Sequence, residues 1–131
     1  MKTFYITTAI LYTNGPPHLG FAFELIQADV LARYHRLIGD ETWFLTGTDE
    51  HGATVVKGAI KYGKPVNEFV DEMAGLAQKL AKVLNISNDD FIRTSDQVRH
   101  WPAAQKVWKK IEESGDLYKK EYEGLYCIGH E

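Results

Sequence analysis

Hydrophobic and polar positions along this chain switch repeatedly between two periods. Residues 4–9 (Phe-Tyr-Ile-Thr-Thr-Ala) are aromatic and β-branched, too short and unperiodic for a helix, and predict a strand. Asn14-Gly15-Pro16-Pro17 then breaks the chain into a turn or extended loop. Over residues 18–38, apolar side chains recur at Leu19, Phe23, Ile26, Val30, Tyr34 and Leu37. That spacing of three and four is a helical stripe, with Glu24, Gln27, Asp29, Arg33 and Arg36 left for other faces and Gly39 as the stop. Thr42-Trp43-Phe44-Leu45-Thr46 predicts a second strand, which runs into Gly47-Thr48-Asp49-Glu50-His51-Gly52. A helix over residues 53–62, ended by Gly63, follows.

Val66, Phe69, Val70, Met73, Leu76, Ala77, Leu80, Val83 and Leu84 fit a 3.6 period between Pro65 and Asn85, the cleanest helix of the chain. Phe91-Ile92-Arg93-Thr94 predicts a short strand. A fourth helix begins near Trp101, with Pro102 in its first turn, Trp101, Ala104, Trp108 and Ile111 on one face, and Gly115 at its end. Residues 117–128 predict a β-hairpin or irregular ribbon. Strand and helix in alternation imply an α/β fold with a parallel pair and a crossover. Ligands in such open sheets bind beyond the carboxyl ends of the strands. The polar segments 10–21 and 47–52 both leave strands at that end and should face one crevice.

Composition narrows the class. The 131 residues, 44% hydrophobic and 25% charged, suit one globular unit with a core of its own. A net charge of −3 argues against a generic, charge-driven nucleic-acid binder, so any RNA contact is local or made elsewhere. The single cysteine, Cys127, forms no internal disulfide and fits a reducing compartment. Without an apolar leader or a run near 20 apolar residues, the expectation is a cytoplasmic protein with no membrane partner.

Two segments carry candidate chemistry. Pro17-His18-Leu19-Gly20 opens the long helix, where first-turn N–H groups lack intrahelical partners and a phosphate is favourably held. Gly20 permits close approach to the backbone, and His18 can donate to a phosphoryl oxygen. Standing alone, the tetrapeptide reads equally as a turn followed by an exposed histidine. In the second, Thr48-Asp49-Glu50-His51-Gly52, a carboxylate could capture the ammonium of an amino acid. The competing reading is helix capping by Asp49 with Glu50 in the first turn.

Tyr12-Thr13-Asn14-Gly15-Pro16-Pro17-His18-Leu19-Gly20, Ala28-Asp29-Val30-Leu31-Ala32-Arg33-Tyr34 and Thr46-Gly47-Thr48-Asp49-Glu50-His51-Gly52 follow one another at a set spacing. In that order they resemble the amino-terminal catalytic region of the methionyl class I aminoacyl-tRNA synthetases. The likeness continues through Phe91-Ile92-Arg93-Thr94 and Glu123-Gly124-Leu125-Tyr126-Cys127. It implies a Rossmann-like parallel sheet with flanking helices, first half only, over residues 1–116, and the start of a connective insertion over residues 117–131. It also implies activation of methionine with ATP and magnesium to methionyl-adenylate, then transfer to tRNA. By position, Asp49 would hold the methionine ammonium with His51 nearby, and Ile10 and Tyr12 would line the side-chain pocket. His18, Gly20 and Asn14 would meet ATP.

Several features depart from the family pattern. Phe21 stands where the signature has a second histidine, and the loss of one preorganised donor of that kind costs on the order of 10²–10³ in rate. Leu11 lies where proline is usual nearby, and is expected to loosen the loop. Cys127 and His130 offer half of a zinc site, which needs about four ligands and therefore a longer chain. The family's mobile lysine loop does not occur in these residues. The expectation is an amino-terminal fragment of a methionine–tRNA ligase, inactive or weakly active by itself, whose partners are methionine, ATP, tRNA (mainly through absent regions) and the remainder of the synthetase. Its missing half-sheet should leave apolar surface exposed. Two alternatives stand: a non-catalytic synthetase-like fragment or paralogue binding an adenylate, a partner or RNA, and a small nucleotidyltransferase.

Overall fold

The longest strand lies between the others. The structure, a computed structural model, describes residues 2–125. In it β1 (Thr3–Thr7), β2 (Leu11–Tyr12), β3 (Glu41–Asp49) and β4 (Asp90–Arg93) form one parallel sheet. β1 follows one edge of β3 from Thr3 opposite Glu41 to Thr7 opposite Leu45, while β4 takes the other edge from Asp90 opposite Leu45 to Arg93 opposite Thr48. β2 resumes on the β1 edge, with Leu11 opposite Thr48 and Tyr12 opposite Asp49. The register offset falls from 38 (Thr3 to Glu41) to 37 (Leu11 to Thr48), so one extra residue is accommodated between Thr7 and Leu11. Such a bulge re-aims side chains at the end of a strand. Leu11 does not loosen the loop: it is a buried strand residue in the core.

Helix α1 (Leu19–Leu37) crosses from β2 to β3, and α2 (Ala53–Lys61) and α3 (Val66–Val83) lead to β4. The all-parallel α/β architecture matches the sequence reading. Phe21 and Leu25 of α1 pack with Leu11, Ala77 and Ala81, and Ala28 and Ala32 pack on Phe44. The alanines let the helix approach the sheet closely. Burying a side chain such as Phe44 or Leu25 completely contributes about 1.5–3 kcal/mol. A third cluster joins Val55 and Ala59 of α2 to Phe69, Val70 and Met73 of α3.

An amphipathic stripe ordinarily faces the core. Here Leu19, Phe23, Ile26, Val30, Tyr34 and Leu37 are all exposed, Leu19 and Leu37 to 85% each. Helix α1 is apolar on two sides, and the side carrying the small residues is the one on the sheet. Tyr5 and Trp43, paired across β1 and β3, are likewise 59% and 51% exposed, on the sheet face opposite Ile6 and Phe44.

A polar clasp fixes the entry to β4. Asp29 accepts Ser87 N–H, Ser87 Oγ–H and Arg33 Nε–H, each at 2.6 Å. Arg36 donates to Ser87 Oγ at 2.6 Å and Asp89 Oδ2 at 2.7 Å, and Asp89 Oδ2 also accepts Phe44 N–H at 2.7 Å. Burial works to raise the Asp29 pKa, but the hydrogen bonds from Ser87 and Arg33 outweigh it and hold the carboxyl below its ordinary value.

Helix α4 (Trp101–Glu113) starts with Pro102 in its first turn and buries none of its residues. Its expected apolar face is exposed. Residues 117–125 form no strand: all are exposed, and among the described residues no neighbouring strand supplies the hydrogen bonds that a ribbon needs. The rest of the predicted ribbon, with Cys127 and His130, lies outside the described residues. Among the described residues no helix is long and apolar enough to cross a membrane.

Candidate functional site

The carboxyl ends of β2, β3 and β4 meet at one end of the sheet. A crevice of about 180 Å³ there is lined by Ala9, Ile10, Leu11, Tyr12, His18, Gly20, Phe21 and Glu24. Four of the residues singled out in the sequence thus surround one space: Ile10, Tyr12, His18 and Gly20.

His18 is the N-cap of α1, and its Nδ1 accepts Gly20 N–H at 3.1 Å. A neutral imidazole that accepts at Nδ1 carries its proton on Nε2, so the ring keeps one donor to offer. Its backbone carbonyl accepts the N–H groups of Phe21 and Ala22 at 3.1 and 3.2 Å. The reason for Gly20 differs from the one read in the sequence. A Cβ there would lie 2.9 Å from His18 Cε1 and 3.0 Å from Nδ1. Residue 20 is small first to admit the imidazole of His18.

Phe21 is only 4% exposed, with its ring in the cluster formed by Leu11, Leu25, Ala77 and Ala81. The position expected to lack a phosphate donor is occupied by a core side chain that also floors the crevice. Glu24, one turn further along α1, accepts Ala9 N–H at 2.6 Å and ties the helix to the bulge. Sequence reading left it among the polar positions of the helix. Its spacing of four from Gly20 was the available signal.

Asp49 ends β3, and its carbonyl accepts Thr13 N–H at 2.9 Å and Thr13 Oγ–H at 3.1 Å. The loop toward His18 is thereby fastened to the Asp49 segment. Helix capping does not explain the two acids: Gly52, at φ 125°, is the N-cap of α2 and no side chain caps that helix. Glu50 is not in the first turn either. Its carboxylate is buried and accepts Thr48 Oγ–H at 2.5 Å, Arg93 Nε–H at 2.7 Å and the Ser95 hydroxyl. Arg93 also donates to Asp71 Oδ1 at 2.6 Å. The hydrogen bond to Glu50 holds the guanidinium pKa above its ordinary value, against burial, which works to lower it, with Asp71 adding in the same direction.

A second recess, about 430 Å³, is lined by Glu50, His51, Val66, Asn67, Val70, Asp71, Arg93 and Ser95. His51 Nε2 lies 3.2 Å from the Thr94 carbonyl, so the ring donates there. Asp49 lies between a residue of each space, opposite Tyr12 of the crevice in register and next to Glu50 of the recess in sequence. The joint is tight, because a Cβ on Gly52 would come within 2.0 Å of the Tyr12 hydroxyl. Asn14 stands apart from both spaces, with its carbonyl over Gly58, where a Cβ would approach it to 2.7 Å.

Arg93, Thr94 and Ser95 were missed as site residues. All three bond the Asp49-Glu50-His51 segment across more than 40 positions of sequence. The signal was their place at the end of a predicted strand. Among the described residues no group of three or more histidine, cysteine, aspartate or glutamate side chains is arranged to hold a metal ion.

Comparison with known proteins adds family and fold. The family model of tRNA synthetases class I (M) matches residues 4–131. A methionine–tRNA ligase of Rhizobium meliloti is 51% identical over 128 residues, covering 98% of this chain and 25% of that protein. One from Thermotoga maritima is 49% identical over 125 residues, covering 95% of this chain and 20% of that protein. The solved methionyl-tRNA synthetase of Mycobacterium tuberculosis in complex with methionyl-adenylate superposes with a TM-score of 0.84 at 42% identity, over 88% of this chain and 22% of that one. The chain therefore spans a fifth to a quarter of the length of these relatives.

Proposed function

The chain belongs to the family of tRNA synthetases class I (M), and from that premise we propose that its crevice is one wall of a methionine-activating site in a methionine–tRNA ligase. A methionine carboxylate oxygen attacks the α-phosphorus of ATP, the bond from that phosphorus to the bridging oxygen breaks, and pyrophosphate leaves. The resulting methionyl-adenylate then acylates tRNA. The observation that carries this reading is the fastening of Asp49, through Thr13, to the loop that ends at the His18 cap. An anion-binding helix start and a carboxylate suited to an ammonium are thereby held in one rigid frame.

Each residue has a part in that reading. Asp49 takes the methionine ammonium in a charge-assisted hydrogen bond, with His51 beside it. Ile10 and Tyr12 line the side-chain pocket. His18 offers Nε2–H to a phosphate oxygen at the positive end of the α1 dipole, and Gly20 keeps that ring in place. Asn14 serves ATP from outside the crevice, its carbonyl seating the loop over Gly58 of α2, and magnesium enters with ATP as part of the substrate. No covalent intermediate on the protein is required, because positioning and electrostatics supply the rate.

The remaining parts belong to such a protein beyond these residues. We assign the outer stripe of α1 and the Tyr5–Trp43 face to packing against the rest of the synthetase, and the tRNA contacts mainly to that part. Residues 117–131 open the connective insertion, where Cys127 and His130 would give half of a zinc site. The working compartment in this reading is the cytoplasm. Methionine-dependent ATP–pyrophosphate exchange by the native-length protein tests the proposal; exchange with leucine or valine but not methionine would sink it.

A further inference from the structure

We propose that Thr94 is a positioning residue for the amino-acid end of the site, acting through Asp49 and His51. The inference rests on the reading of Asp49 as the ammonium ligand. Thr94 follows β4 directly, and its backbone N–H is held by the Thr48 carbonyl at 3.2 Å. Its hydroxyl oxygen accepts Glu50 N–H at 2.8 Å. With that lone pair engaged, the hydroxyl proton points to Asp49 Oδ1, 3.5 Å away. Its carbonyl accepts both Trp101 Nε1–H at 3.0 Å and His51 Nε2–H at 3.2 Å.

One residue therefore touches all three members of the Asp49-Glu50-His51 segment. Its two neighbours, Arg93 and Ser95, anchor to the buried Glu50 and leave Thr94 little freedom to move. The chemical consequence is specific. The hydroxyl presents its proton to one oxygen of the Asp49 carboxylate across a long contact, and the carbonyl keeps the proton of a neutral His51 on Nε2, leaving Nδ1 as an acceptor. Both effects favour a cationic ammonium over a neutral group. Catalysis at phosphorus is not touched.

The test uses the native-length protein with the substitutions Thr94→Val, Thr94→Ser and Asp49→Asn. The KM for methionine and the kcat are read in ATP–pyrophosphate exchange, and inhibition by 4-(methylsulfanyl)butanoate, which lacks the ammonium, is measured beside them. Thr94→Val should raise the methionine KM about tenfold with kcat nearly unchanged. It should leave inhibition by the des-amino acid unaltered, and Thr94→Ser should restore the KM. In the Asp49→Asn background, Thr94→Val should add nothing further. Equal weakening of both ligands, or no change in either, overturns the positioning role while leaving the reading of Asp49 intact. If the unaltered protein does not activate methionine, the functional reading fails and the role of Thr94 falls with it.

Discussion

His18 Nδ1 and Gly20 N–H are joined at 3.1 Å, and the same ring fills the space that a β-carbon on residue 20 would need. Capping and phosphate donation therefore use opposite nitrogens of one imidazole. His18→Asn should separate them, since asparagine caps helices well but does not reproduce the reach of Nε2. The thermal midpoint should stay within a degree or two of wild type, at an expected cost of less than about 0.5 kcal/mol. Exchange activity in the native-length protein should fall by about 10²-fold or more. Gly20→Ala should lose both: the ring is displaced, the cap is lost at about 1 kcal/mol, and exchange falls as well. Calorimetric melting and exchange assays read the two effects separately, and a fully active His18→Asn variant would remove His18 from the phosphate site.

Phe21 is the departure from the family pattern that looks simplest to reverse. Its ring is buried against Leu11, Leu25, Ala77 and Ala81, so a histidine there places polar nitrogens among apolar side chains. An unsatisfied buried polar group costs about 1–3 kcal/mol. Phe21→His should therefore lower the unfolding free energy by that amount, read as a lower urea midpoint with an unchanged slope. A variant as stable as wild type would mean that the new ring turns out into the crevice instead.

Much of this fold was legible because its periods are plain. Strands β1, β3 and β4 and all four helices lie within a few residues of the positions that the hydrophobic pattern predicts. Three features were not legible, each for a physical reason. Strand β2 is two residues long and exists because a bulge returns Leu11 to the edge of β3; no periodicity survives in two residues. The buried side of α1 was hidden because the larger apolar residues form the outer stripe while alanines face the sheet. The partnership of Glu50 with Arg93, and of Asp49 and His51 with Thr94, spans 43 to 45 positions and depends on the pairing of β3 with β4. His18, Gly20, Ile10 and Tyr12 line one crevice, and the space at Gly20 is set by the neighbouring His18 ring.

The outer stripe of α1 has a consequence for the 131 residues in isolation. Exposed apolar surface of this extent drives association. Prepared alone, the chain should self-associate at tens of micromolar in sedimentation equilibrium, and Phe23→Glu with Val30→Glu should return it to a monomer. Both positions are exposed, so stability should change by no more than about 0.5 kcal/mol each. A wild-type chain that stays monomeric would show that this surface is too divided to act as an interface.

The Asp29 clasp makes stability depend on acid. Its folded pKa lies below the unfolded value near 3.9, so the unfolded chain binds the proton more readily. The stabilisation is complete above the unfolded pKa and is lost as pH falls through the folded one. Urea midpoints should therefore drop steeply from about pH 4 downward. Asp29→Asn should lower the unfolding free energy at neutral pH by about 1.5–3 kcal/mol, with a shallower acid slope of the midpoints. An unchanged slope would mean that another carboxylate governs the transition.

Glu50 and Arg93 test whether the floor of the second recess is held by charge or by shape. The Glu50 side chain is fully buried and Arg93 retains 30% exposure, so removing the cation leaves a buried carboxylate with only the Thr48 and Ser95 hydroxyls. Arg93→Met should cost about 3 kcal/mol, the lower end for breaking a buried pair, because water reaches the arginine side. Glu50→Gln should cost less, since the amide keeps an acceptor for Thr48. The double variant should be more stable than Arg93→Met alone, as the stranded charge is gone. Urea unfolding of the four proteins gives the coupling energy directly. If the double variant is as unstable as the sum of the single ones, the pair acts independently. The recess would then owe its form to the apolar packing of Val66 and Val70, not to the ion pair.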